Sequence, residues 1–286
     1  MSSARGAVIH DWIKKAIMIR YRGRATTYGE VWFDEGLPEP CDVDVVFCRQ
    51  RATPVPGART TSTLSLVVDL SRTEGELMDA FGKDCRYKVK RAESRDELEL
   101  EFIDEPAGRL EEFRAFYDGF AAEKGLRPCY RDWLAAACAA RQLVLTCATH
   151  HGEPLVWHAL LVAGGNAWLQ YTGSCYRNRD NAYRALVGRA NRWLHWQEML
   201  RFRSRGLPRY DWGGLFEDES TPERAGINRF KKEFGGTAVR RYDCVLPITL
   251  KGRMWLPLRD AWQHRPALRA LSAALLQRRL SSARAG

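Results

Sequence analysis

The segment YDWGGLFEDESTPERAGINRFKKEFGG, Tyr210 to Gly236, gathers an acid, a flexible hinge and two cations into one short stretch. Asp211 closes a short apolar run just before Gly213 and Gly214, where the absent side chains let backbone approach a ligand. Such a carboxylate can take a proton from an attacking group or orient it. Equally, it can close a turn by bonding to nearby N–H groups. Glu217, Asp218 and Glu219 form an acidic loop suited to an ammonium group or to sugar hydroxyls, or simply to water. A helix is expected from near Ala225, with Ile227, Phe230 and Phe234 as its apolar stripe. Lys231 then projects beside that stripe toward a sheet edge, while Lys232 lies nearer solvent.

A second concentration of charge is CRYKVKRAESR, with Arg86, Lys88, Lys90, Arg91 and Arg95. On a helix, Lys88, Arg91 and Arg95 share one face and Arg86 and Lys90 form a second pair. Like charges this close repel unless an anion sits between them, which points to phosphate; a solvated face is the plainer reading. His158 and Tyr171 lie on expected central strands near Trp157 and Trp168. Either can serve as acid or base if its pKa is shifted, or can be a satisfied core or cleft-wall group.

The elements that position these residues are legible in outline. GEVWF, DVDVVFCRQ and TLSLVVDL read as strands, and SRTEGELMDAF as a helix with Ser71 and Glu74 as its capping box. LELEFI alternates as a half-buried strand from Leu98 to Ile103, and two helices follow around AGRLEEFRAFYDGFAAEKG and RDWLAAACAARQ. LVLTCATHHGEPLVWHALLVAGGNAWLQYTGS reads as three antiparallel strands turned at HHGEP and AGGN. A long amphipathic helix from about Ala182 to Arg205 leads to the strand RYDWGGL, the lysine helix, the strand TAVRRYDCVLPIT and a basic amphipathic tail with Leu258, Trp262, Leu268, Leu271 and Leu275.

The 286 residues carry 45 Lys+Arg against 35 Asp+Glu, a net charge of +10 that attracts polyanions without naming one. Nothing in the sequence reads as a transmembrane segment or a secretory signal. The eight cysteines are scattered, with no CxxC pair and no Cys/His cluster at zinc spacing. Reduced thiols, a cytoplasmic location and no metal are therefore expected.

From Leu98 onward the order is strand, two helices, three antiparallel strands, long helix, strand, helix, strand. That order resembles the GNAT acyltransferase fold. Asp211-Trp212-Gly213-Gly214 and Phe230-Lys231-Lys232-Glu233-Phe234-Gly235 resemble the C-terminal signature of its FemABX-type branch, Asp-x-Gly-Gly followed by Phe-Lys-x-x-Phe-Gly. The similarity spans roughly residues 60 to 250. It implies an α+β fold with a GNAT-like, mixed, largely antiparallel central sheet flanked by helices. The expected divisions are a reduced N-terminal GNAT-like portion at 1–97, a GNAT-like acyltransferase domain at 98–250, and a basic helical tail at 251–286.

The resemblance further implies transfer of an aminoacyl group from aminoacyl-tRNA to an amine acceptor, a cell-envelope precursor or a peptide-like natural product. The alternative it leaves open is an acetyl-CoA-dependent N-acetyltransferase acting on an amino sugar or other small amine. No cofactor is held permanently in either case. Lys231, Asp211, His158 and Tyr171 become the catalytic candidates, with Lys231 placed to stabilise an oxyanion or a departing 3′-oxygen. Arg86, Lys88, Lys90, Arg91, Arg184, Gly188 and Arg189 become the candidates for the donor's phosphates. The last three belong to RALVGRA, which keeps the Gly and Ala of the acyl-CoA motif but has Ala185 where Gln or Arg is usual; there, helix-terminal N–H groups would hold an anion, or Gly188 simply permits close packing. Gly213, Gly214, Glu217 and Lys232 would contact the acceptor. Expected partners are aminoacylated tRNA, a small-molecule amine and, peripherally, an anionic membrane. A non-catalytic binder of nucleic acid or membrane, using the cationic RRLSSARAG end, is the reading from another class.

Overall fold

The structure, a computed structural model, describes residues 17–23, 25–33, 36, 41–176 and 179–264, with side chains to residue 259. The side chain of Trp262, together with Leu268, Leu271, Leu275 and the RRLSSARAG end, lies outside the described residues. Ten strands among them form one sheet: β1 (Ile19–Arg22), β2 (Thr27–Trp32), β3 (Val45–Arg51), β4 (Arg59–Asp69), β5 (Leu98–Ile103), β6 (Leu143–His150), β7 (Glu153–Ala163), β8 (Asn166–Ser174), β9 (Arg209–Leu215) and β10 (Thr237–Pro247). Their spatial order is β1-β2-β3-β10-β4-β9-β8-β7-β6-β5. Only β2–β3 and β8–β9 run parallel, so the sheet is mixed and largely antiparallel as expected. Because β10 lies between β3 and β4, strands from 1–97 and from 98–250 share the same hydrogen-bonded ladder.

The helices are α1 (Glu74–Ala80), α2 (Lys83–Arg95), α3 (Leu110–Glu123), α4 (Arg131–Ala139), α5 (Asn181–Ser204), α6 (Pro222–Lys232) and α7 (Leu250–His264). They divide between the two faces because successive strand side chains point to opposite sides. On β7, Val156, Leu160 and Val162 join clusters beneath α2 and α5, whereas Trp157, Ala159 and Leu161 pack with Phe113 and Tyr117 of α3 and Trp133 of α4. Covered on both sides, β7 reads as a continuous apolar run. Leu66 and Val68 of β4 meet Leu77, Phe81, Cys85 and Phe234 on the first face, which also carries α1 and the end of α6. On the second face α7 seats Leu256 against Tyr28, Val45 and Phe47.

Two local readings change. The first helix is capped by Thr73 and Glu76, not by Ser71 and Glu74, because the Ser71 N–H and hydroxyl both donate to Asp69 at the end of β4. The chain therefore turns before it coils. Strand β1 was not expected at all: Ile-Arg-Tyr-Arg is too short and charged for a clear period of two, and it is held by pairing with β2.

Candidate active site

The parallel pair β8–β9 is hydrogen-bonded only at its start, through Asn166↔Arg209, Ala167↔Tyr210 and Trp168↔Asp211. Beyond Trp168 and Asp211 the strands run on without pairing to each other, opening a cleft in the sheet. Gly213 and Gly214 stand on the β9 side of it. Gly213 has φ +73°, and a Cβ there would come within 3.3 Å of the Trp168 ring, so both the backbone twist and the close approach require glycine.

Asp211 and Lys231 meet this cleft from opposite sides of the sheet. The Asp211 side chain is fully buried on the face that carries α3, α4 and α7; its Oδ1 accepts from Ser65 Oγ at 2.5 Å and from the Gly213 N–H at 2.9 Å. Its Oδ2 is buried without a hydrogen-bond partner. Burial pushes the carboxyl up to about 6 against those two hydrogen bonds and the charges of Arg241 and Lys231. Lys231 reaches from α6 on the other face and donates from Nζ to the Gly214 carbonyl at 2.7 Å. Burial brings its ammonium down to about 8, opposed by the Asp211 charge. An acid raised and an amine lowered, in electrostatic contact across a diglycine, are poised to exchange protons near neutrality.

Beside the cleft lies a cavity of about 760 Å³, in the gap between α4 and α7. Trp168, the register partner of Asp211, forms part of its wall with Gln170 and Tyr171 of β8; Tyr130 and Trp133 close it from α4. The floor comes from β2, β3, β4 and β10, with Tyr28, Glu30, Phe47, Arg49, Thr61 and Asp243. Glu30 organises it: its carboxylate accepts from Tyr21 Oη (2.8 Å), the indole N–H groups of Trp32 (3.1 Å) and Trp133 (2.8 Å), and Arg49 (3.4 Å). Sequence reasoning missed this cavity apart from Tyr171 and Trp168. The available signal was Glu30 alternating with Tyr28 and Trp32 on one strand face, an acid placed where a core residue belongs.

The remaining candidates are distributed as follows. Tyr171 lines the cavity, and its hydroxyl accepts from the Tyr130 N–H; burial raises its pKa, which keeps the phenol neutral. His158 does not reach the cavity. It is fully buried under α5, with Nδ1 2.8 Å from Glu198 Oε1 and Nε2 3.0 Å from Asn191 Oδ1. Glu198 also accepts from Thr146 and from the Tyr210 hydroxyl, which in turn lies 2.8 Å from His195 Nδ1. Burial alone would raise the Glu198 carboxyl, but the charge and hydrogen bond of His158, followed by those of His195, hold it well below the usual carboxylate range. Burial and the neighbouring His158 lower His195 to about 3, so it is neutral. His158, His195 and Glu198 bring potential metal ligands within 4.8 Å of one another, yet Glu198 and the histidine Nδ1 atoms are already hydrogen-bonded within the cluster. This polar knot ties β6, β7 and β9 to α5 and is structural.

The phosphate candidates also move. Helix α5 begins at Asn181, capped by the Asp180 carboxylate accepting from the Tyr183 N–H at 2.7 Å. Gly188 is therefore two turns inside the helix, where its N–H is not an open donor. Its carbonyl takes Arg192, and Arg189 is paired with Asp96 at 2.5 and 2.9 Å; Arg184 is exposed in the first turns. On α2, Arg86 donates to the carbonyls of Asp79 and Phe81 at the end of α1, and Lys88 pairs with Asp84, while Lys90 and Arg91 are exposed. Glu217 pairs with Arg240 and Lys232 with Glu219. The α2 cations and α6 stand on the same face of the sheet, joined where the Gly82 N–H donates to the Glu233 carbonyl.

A mixed sheet whose ladder stops along one parallel pair, with a long helix connecting the two strands of that pair, defines a GNAT-type acyltransferase. The chain belongs to the acetyltransferase (GNAT) domain family, whose family model matches residues 80–232, over half its length. It is similar in fold to the solved structure of FemX, with TM-score 0.55 and 12% identity over 85% of this chain and 91% of that one. Similar too are the C-terminal (DUF2156) domain of an Agrobacterium fabrum protein named as a lysylphosphatidylglycerol synthetase (TM-score 0.51, 12% identity, 90% and 95% covered) and L-PGS from Bacillus licheniformis (0.50, 13%, 91% and 96%). No curated protein sequence matches the chain.

Proposed function

We propose that the protein transfers an aminoacyl group from aminoacyl-tRNA to an amine held in the cavity beside the β8–β9 cleft. The observation that carries this reading is the Asp211–Lys231 pair on either side of Gly213 and Gly214. The acceptor nitrogen attacks the ester carbonyl carbon, an N–C bond forms, and the bond from that carbon to the tRNA 3′-oxygen breaks. Asp211, as carboxylate, takes the proton lost by nitrogen. The Lys231 ammonium meets the negative charge on the carbonyl oxygen and gives a proton to the departing 3′-oxygen, and the proton taken by Asp211 restores the ammonium.

Support for tRNA over acyl-CoA comes from Asp180. Its carboxylate occupies an amide of the α5 N-terminus and adds negative charge where an acyl-CoA diphosphate would need open N–H groups. Exposed Lys90, Arg91 and Arg95 on α2 suit the backbone of an acceptor stem. The name of one fold neighbour, a lysylphosphatidylglycerol synthetase, refers to aminoacylation of a lipid and agrees with the same chemistry. In this reading residues 98–250 carry the transfer centre, and strands β2–β4 from 1–97 build the acceptor floor. The tail at 251–286 brings α7, whose exposed Leu250, Met254 and Leu258 lie beside Lys251 and Arg253 and suit peripheral contact with an anionic membrane from the cytoplasm. None of the helices in the described residues is long and apolar enough to cross one.

The family match favours the second reading, an acetyl-CoA-dependent N-acetyltransferase using the same centre on a small amine. Incubating the full-length protein with mixed radiolabelled aminoacyl-tRNAs, and separately with labelled acetyl-CoA, against a panel of small amines separates the two. Label is expected to pass from tRNA to an amine. Passage from acetyl-CoA alone overturns the first reading in favour of the second.

A further inference from the structure

The cavity stops one side chain short of the transfer centre. Trp168 is part of its wall, whereas Asp211, the register partner of Trp168 at the last pair of the parallel ladder, is fully buried and does not line it. Register partners on parallel strands point to the same face, so the indole and the carboxyl stand side by side, and of the two the indole borders the cavity. The ring also covers the backbone that holds Asp211. Its Cζ2 and Cη2 lie 3.3 and 3.5 Å from where a Cβ on Gly213 would be, and it is the Gly213 N–H that donates to Asp211 Oδ1. The indole is fixed in that place: Nε1 donates to Gln170 Oε1 at 3.1 Å, and the rings of Trp32 and Phe33 lie 5.4 and 5.9 Å away, centre to centre.

The surroundings of Asp211 require such a cover. The hydrogen bonds from Ser65 of β4 and Gly213 favour the carboxylate, and so do the charges of Arg241 of β10 and Lys231 of α6. The carboxyl nevertheless holds its proton up to about 6, because burial outweighs all four. Oδ2 has no hydrogen-bond partner. Water entering from the cavity would hydrate that atom and return the carboxyl toward an ordinary value, and on the β8 side the indole stands in its path.

We infer that Trp168 is a positioning residue of the transfer centre: its indole is the partition between the cavity and Asp211, excluding water from the carboxyl until an acceptor nitrogen takes its place over Gly213. The ring is part-buried and borders the cavity, so an acceptor lodged there meets it directly. Once the indole turns off Gly213, the acceptor's N–H is offered to the unpartnered Oδ2, and the acceptor itself becomes the wall that the indole leaves. The base thus stays dry while it takes the proton. A size requirement follows. An acceptor must fill the place of the indole edge as well as carry the nitrogen, because a very small amine would admit water along with it. As a step in acyl transfer this assignment rests on the proposed function; as a water seal over Asp211 it does not.

The test titrates Asp211 directly in the full-length protein, by carbon NMR after isotopic labelling of aspartate carboxyls, with D211N identifying the signal. In wild type the midpoint is expected near 6. W168A, which removes the ring, should lower it by about one pH unit or more, while W168F should keep it within about half a unit of wild type. Tyr130→Leu, which trims the cavity wall on α4 instead, should leave it in place. The acidic limb of kcat/KM should move with the midpoint in each Trp168 variant. Should W168A fail to fold, as judged by circular dichroism, W168L takes its place, with a fall of at least about half a unit expected. A midpoint that stays near 6 in folded W168A or W168L, or that falls as far in Tyr130→Leu as in W168A, overturns the partition. A midpoint that behaves as stated in protein without transfer activity, or with an acidic limb that does not follow it, leaves the partition standing and overturns Asp211 as the base of the proposed function.

Discussion

Replacing Asp211 by Asn separates the thermodynamic and chemical parts of the reasoning. Asp211 ionises near 6 in the fold against 3.8 as an ordinary carboxyl, a difference of about 2 pH units, or about 3 kcal/mol. Since the folded value is the higher one, the native state holds the proton more tightly than the unfolded chain between pH 4 and 6. Wild-type stability therefore falls as pH rises through that window and levels off above it. Asparagine keeps an acceptor for Ser65 and Gly213 but never ionises, and its NH2 group replaces an Oδ2 that already lacks a partner. The stability of D211N relative to wild type should thus improve by about 2 kcal/mol between pH 4 and pH 6.5, whatever the offset between the two curves. Equilibrium urea unfolding at the two pH values measures it. In the transfer assay D211N should lose roughly 100-fold or more in kcat, together with the acidic limb of kcat/KM near pH 6. Parallel stability curves would refute the buried ionisation; a D211N enzyme with full activity and an intact acidic limb would refute the general base.

Lys231→Met should lower turnover by more than about tenfold with little change in stability, and Lys231→Arg should shift the alkaline limb of kcat/KM upward from near 8, because a guanidinium keeps its proton. A limb that stays near 8 in the arginine variant removes Lys231 from the mechanism. Glu198→Gln leaves the buried His158 without its carboxylate and is expected to cost about 3–5 kcal/mol in unfolding experiments near neutral pH, with kcat per folded molecule unchanged. The folded-state value of Glu198 lies below the unfolded 4.5, so this difference should shrink as pH falls below about 4.5. Met254→Glu with Leu258→Glu should abolish co-sedimentation with anionic vesicles and leave soluble-substrate transfer intact; sedimentation at wild-type levels would rule out α7 as the contact.

The parts of this protein legible in its sequence are those encoded by local period and local chemistry. The two-residue alternation of LELEFI, the turns at HHGEP and AGGN and the apolar stripe of α5 each depend on near neighbours, and each appears in the structure. Asp211, the diglycine and Lys231 were legible because one short segment carries them all. The cavity was not, since Glu30, Trp133 and Arg259 are brought together by sheet order and no spacing in the chain relates them. The surroundings of His158 and of RALVGRA were not legible for a related reason. His158 looks available on a central strand until α5 supplies Glu198 and Asn191, and RALVGRA looks like a helix opening until the Asp180 cap starts the helix earlier.

The same topology explains why Asp211 and Lys231 meet where they do. An unbroken ladder would leave α6 and the cavity floor on opposite sides of a wall of paired backbone. Pairing between β8 and β9 stops after Trp168 and Asp211, and the next positions on β9 are a buried indole and two glycines. Lys231 can then reach a β9 carbonyl from one side while Asp211 faces the other, and the two sense each other's charge. A bulky donor working on the α2–α6 face and a small acceptor on the α4–α7 face would meet only at this opening. A side chain at Gly213 should therefore damage transfer more than it damages folding: Gly213→Ala forces a positive-φ alanine against Trp168, about 1–2 kcal/mol of strain, at the backbone that lies between Asp211 and Lys231. Loss of transfer in proportion to loss of folded protein, with normal kcat in the folded fraction, would show that the opening is not the route.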